Sequence, residues 1–95
     1  MNRNDIHKQV IQHFGIPAQL EKMSEELREL DDEIWRWMDK EDNKLELLGE
    51  FADMLNMCEQ FKIIAAEILK IFTLDEVESA QNFKMFRTKG VIENK

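Results

Sequence analysis

Apolar residues recur at helical spacing along most of the chain. Ile6, Val10, Ile11 and Phe14 lie three or four positions apart, with Asn4 or Asp5 as the N-cap and Gly15 as a stop, so a short first helix is expected over 4–14. Pro17 suits a first turn and opens a second helix to about Met38. Its apolar positions Leu20, Met23, Leu27, Leu30, Ile34 and Trp37 form an a/d-like stripe beneath a charged outer face. The polar run DKEDNK, 39–44, interrupts the pattern and predicts a connection short enough to leave its neighbours antiparallel. A third helix is expected from about Leu45 to Phe72. Thr73 and Glu76 have capping-box spacing and open a fourth, which Gly90 should end after Lys89.

The pattern predicts an all-α, four-helix bundle-like fold in one domain spanning 1–95. Abundant Leu, Glu, Lys, Met and Ala, with one proline and three glycines, agree with it. A chain of 95 residues buries only about 60 to 65% of its unfolded surface, so homo-oligomerisation is expected to complete the core.

Thirteen basic residues against twenty acidic ones give a formal charge of −7, which disfavours nucleic acid as a partner. The single cysteine, Cys58, cannot form an internal disulfide, and no stretch has the length of a membrane span or the pattern of a signal peptide. A cytoplasmic protein without membrane contact is expected.

The acidic residues of the two long helices change the picture. At about 100° per residue, Asn56, Glu59, Glu67 and Lys70 share an arc of the third helix with Ala52 and Ile63, read as its solvent side. Glu46, Glu50 and Asp53 fall on the other side, with Met57, Phe61, Ile64 and Ile68. On the second helix Lys22, Glu26, Glu29 and Glu33 flank the apolar stripe, so antiparallel packing would bring Glu26 and Glu29 to Glu50 and Asp53 across one groove. Buried like charges are costly unless protonated, paired with bases or bound to a metal. All-oxygen ligands at i, i+3 spacing select a hard cation, Mg²⁺ first, with Mn²⁺ or Ca²⁺ also compatible. No Glu-x-x-His pair, P-loop or nucleophile elbow is present.

QLEKMSEELREL (19–30) followed by LLGEFADML (47–55) resembles the MazG-like all-alpha nucleoside triphosphate pyrophosphohydrolases. The family signature EExxE then ExxD reads here Glu25-Glu26-Leu-Arg-Glu29 and Glu50-Phe-Ala-Asp53, with Gln19, Lys22 and Gly49 in family-like places. The resemblance spans about Gln19 to Arg87 and implies Mg²⁺ ligands Glu26, Glu29, Glu50 and Asp53. It further implies hydrolysis of a (d)NTP to the monophosphate and pyrophosphate by attack of water on the α-phosphorus, and a homodimer or homotetramer. Lys84 and Arg87, three apart on the fourth helix, would steady the outer phosphates, and Lys22 would contact phosphate or offset the acids. Trp37 is a candidate for stacking on the base, and Met57 for lining its pocket.

Competing readings keep Glu33 and Glu46 as rim charges, Trp35, Trp37 and Met57 as packing residues, and Cys58 as an inert packed thiol. His7 and His13 carry no assigned role. Two alternatives stand beside the enzyme: a non-catalytic helical interaction module, and a binder of nucleotide or metal that does not hydrolyse.

Overall fold

The computed structural model describes residues 2–94, and every regular element among them is helical. The order is α1 (Arg3–Phe14), α2 (Ile16–Met38), α3 (Lys44–Lys62), a π-helical segment (Ile63–Ile68) continuing α3, and α4 (Leu74–Glu93). None of these helices is long and apolar enough to cross a membrane.

Local chemistry sets the boundaries. Asn2 caps α1 by accepting the Asp5 N–H at 2.9 Å, so the helix starts ahead of the predicted Asn4 or Asp5 cap. Gly15, at φ +91°, turns the chain between α1 and α2 where a side chain would be strained, and Pro17 sits in the first turn of α2. The α2–α3 connection is pinned by Asn43. Its Nδ2 donates to the Glu33 carbonyl at 2.9 Å and to Glu33 Oε2 at 2.7 Å. Thr73 and Glu76 form the expected reciprocal capping box on α4.

Two boundaries differ from expectation. The third helix does not run unbroken to Phe72: after Lys62 the turn widens into the π-helical segment, which ends at Ile68 just before Lys70, whose φ is +53°. Helix α4 passes through Gly90 to Glu93, because that glycine adopts no left-handed conformation.

Helices α2 and α3 form the principal interface, with α1 against both. Going back along α2 from Glu33 through Glu26 to Gln19, the partners met are Asn43, then Glu50, then Met57 and Gln60, so the pair is antiparallel. Ion pairs from Arg3 to Glu59 and from Lys8 to Glu67 set α1 alongside the later part of α3. The core cluster of Ile11, Ile63 and Ile64, with Ile16 packed on it, lies where these elements meet.

The side of α2 that faces α3 is not the predicted stripe. Gln19, Met23, Glu26, Leu30 and Glu33 are buried or half-buried, whereas Leu20, Leu27, Ile34 and Trp37 are exposed. The seam is therefore turned by about one residue and carries polar groups at alternate positions. On α3 the facing positions are Leu47, Glu50, Met54 and Met57. Leu48, Phe51 and Leu55 are exposed, and wheel geometry sets them on the same side of the hairpin as Leu20, Leu27 and Ile34. Ile63, expected in solvent, is buried, while Phe61 and Ile68, expected inside, remain substantially exposed.

Helix α4 buries none of its residues. The radius of gyration is 16.4 Å, against about 12 Å for a compact domain of this length, so the single chain is open.

Candidate metal centre

The seam of α2 and α3 gathers Glu26, Glu29 and Glu50. Each offers a carboxylate oxygen within 4.8 Å of the other two. Glu26 is buried, Glu50 half-buried and Glu29 exposed, so the group is closed on the hairpin side and open beside Glu29. The i, i+3 spacing of Glu26 and Glu29 presents two carboxylates from one helix to the single one from α3.

The electrostatics are unbalanced. Burial, followed by the neighbouring Glu29 and then Glu26 carboxyls, raises the Glu50 pKa to about 7. Glu26 Oε1 pairs with Lys22 Nζ at 3.3 Å, and that contact holds the Lys22 ammonium above its ordinary pKa. The other oxygens are left over: Glu26 Oε2 and Glu50 Oε2 are buried with no hydrogen-bond partner. Unpartnered buried carboxylate oxygens are uncommon, and three hard oxygen donors converging from two helices fit a divalent cation.

Asp53 is not part of this group. It lies one turn beyond Glu50 and is exposed, because the seam passes from Glu50 to Met54 and turns Asp53 out of the interface. Glu46 is exposed as well. Glu33 serves the turn instead, through Asn43.

Beside the acids, α1, α2 and α3 enclose a cleft of about 450 Å³. Gln19, Lys22 and Met57, all candidates from sequence, line it together with Val10, Phe14 and Gln60. Trp37 does not. It lies eleven residues, about 16 Å of helix, beyond Glu26 and is exposed. Lys84 and Arg87 lie on α4, and among the described residues neither side chain makes an ion pair or hydrogen bond to the acids.

Sequence reasoning missed Gln60, which follows Met57 by three positions in the same register and is buried. It also missed a polar cluster at the start of α1. His7, 5% exposed, donates to Glu59 Oε2 at 2.7 Å, and Arg3 pairs with the same carboxylate at 3.1 Å. Glu59 thus faces α1, and both bases depress its pKa, His7 most. The i, i+4 spacing of Arg3 and His7 was the available signal. Cys58, expected to be packed, is exposed.

Compared with known proteins, the chain matches no family model, no curated protein and no solved structure.

Proposed function

We propose that the protein is a Mg²⁺-dependent nucleoside triphosphate pyrophosphohydrolase that cleaves a (d)NTP to the monophosphate and pyrophosphate. The observation that carries this reading is the convergence of Glu26, Glu29 and Glu50 with two buried carboxylate oxygens left unpartnered. Resemblance of the two acidic motifs to the MazG-like enzymes supplies the reaction; the geometry supplies its compatibility with a cation.

Glu26, Glu29 and Glu50 would hold the metal, with Asp53 at the open rim one turn away. A bound Mg²⁺ neutralises charge on the triphosphate and lowers the pKa of water. Lys22, tied to Glu26, balances one carboxylate and stands between the acids and the cleft it lines, where it would meet an incoming phosphate. Glu29 is the most accessible of the three and is placed to accept a proton from the attacking water. The adjoining cleft, walled by Val10, Phe14 and Met57, takes the nucleoside end.

The working form is a homo-oligomer. The apolar side of the hairpin, Leu20, Leu27 and Ile34 with Leu48, Phe51 and Leu55, is too extensive for a small monomer to leave in water. A second copy covers it and leaves the acidic opening free.

Phosphorus NMR of a panel of NTPs and dNTPs incubated with Mg²⁺ tests the reading. Pyrophosphate and a nucleoside monophosphate are expected. Orthophosphate, or no turnover with any nucleotide, would remove it.

A further inference from the structure

Gln60 belongs to the cleft rather than to the acidic group. Its side chain is 6% exposed, it forms part of the cleft wall, and its Oε1 is buried without a hydrogen-bond partner. An amide carbonyl of this kind is satisfied when a ligand brings an N–H to it, with a small rotation of the side chain opening the path. Val10 and Phe14 of α1 and Met57, one turn before Gln60, give the cleft an apolar surface that suits a flat ring, while Glu21 and Glu25 line its α2 side. Lys22 touches both regions, since it lines the cleft and pairs with Glu26. One ligand spanning them would have a polyanionic end bound through a cation at the carboxylates and a planar, N–H-bearing end at Gln60.

We propose that Gln60 is a specificity-determining residue that reads the hydrogen-bonding edge of the nucleobase. This rests on the hydrolase reading above and adds the atom that inspects the base. A glutamine amide pairs an acceptor with a donor, so it matches a base edge that pairs a donor with an acceptor: the amino group and ring nitrogen of adenine or cytosine, or the ring N–H and carbonyl of guanine or uracil. Gln60→Glu replaces this with two acceptors. Adenine and cytosine then face a repulsive lone pair, while guanine, with adjacent N1–H and amino donors, does not.

The test is calorimetric binding of non-hydrolysable α,β-methylene analogues of ATP, CTP and GTP, with Mg²⁺, to the wild-type protein, Gln60→Leu and Gln60→Glu. Gln60→Leu removes an unsatisfied buried group and should keep the thermal midpoint, which differential scanning calorimetry checks. Expected are at least tenfold weaker binding of all three analogues by Gln60→Leu, and a shift of at least tenfold in favour of the GTP analogue, relative to the other two, in Gln60→Glu. Unchanged affinities in both variants, with normal wild-type binding and turnover, overturn the role of Gln60 alone. A wild-type protein that binds none of the analogues overturns it together with the hydrolase reading.

Discussion

Glu26 and Glu50 face one another across the α2–α3 seam, each with its Oε2 buried and without a hydrogen-bond partner. A fold that brings two such carboxylates within 4.8 Å of each other is held back by them unless a cation or a proton intervenes. Removing one charge should therefore strengthen the metal-free protein while disabling it. For Glu50→Gln, the thermal midpoint without metal is expected to equal or exceed wild type at pH 8, and the rise on adding Mg²⁺ to disappear. Turnover should fall about 100-fold or more, as loss of even a supporting partner of a metal ligand costs roughly 10- to 100-fold. A strongly destabilised variant would mark Glu50 as a structural carboxylate instead.

The same carboxyl sets a pH dependence. With its pKa raised from 4.5 to about 7, folded Glu50 holds a proton that the unfolded chain has already lost, so its contribution to metal-free stability falls as pH rises from 4.5 to 7 and is level above. Metal binding needs the ionised form and runs the other way. Apparent Mg²⁺ affinity should climb about tenfold per unit between pH 5 and 7, then flatten; calorimetric titrations at several pH values measure it.

Glu59 offers a contrasting case at the α1 end. His7 and Arg3 depress its pKa, so the stabilisation is fully present above the unfolded value of 4.5 and is lost as pH falls through the lower folded value. Glu59→Gln should reduce amide-exchange protection across 3–14 at neutral pH without loosening the α2–α3 hairpin. Wild type should show the same local loss only in acid. Hydrogen exchange with mass spectrometry distinguishes this from global unfolding.

Asn43 clamps the start of α3 to Glu33. Asn43→Ala should lower stability by about 1 to 3 kcal/mol, the range for stranding buried hydrogen-bonding partners. The urea midpoint should drop with an unchanged slope, and catalysis should survive below that midpoint.

The exposed stripes predict self-association. Leu27→Glu combined with Leu55→Glu should convert a dimer or larger assembly into a monomer in sedimentation velocity. A wild-type monomer would contradict the proposed assembly.

The helices, the α2–α3 connection, the α4 cap and three of the four acids were legible because each depends on local spacing or capping chemistry. The facing register of α2 was not. Leu20, Leu27 and Ile34 form a more apolar stripe than Gln19, Glu26 and Glu33, and both share Met23 and Leu30, so hydrophobic periodicity selects the exposed one. On α3 a continuous arc grouped Asp53 with Glu50, but the seam passes from Glu50 to Met54 and leaves Asp53 exposed. The π-helical turn after Lys62 leaves no trace in apolar spacing. Ile63 is buried for another reason: α1 covers the arc of α3 expected to face solvent, setting Ile11 against Ile63 and His7 against Glu59. Gln60 went unnoticed because a polar residue at a seam position reads as a break in the pattern, when it is the polar wall of the cleft.

Crystals soaked in Mn²⁺, with anomalous scattering recorded at the manganese edge, test the central claim most directly. A peak coordinated by Glu26, Glu29 and Glu50, absent from crystals of Glu26→Gln, is the expected result. Manganese bound elsewhere, or no peak at saturating concentration with these carboxylates accessible, would contradict the account.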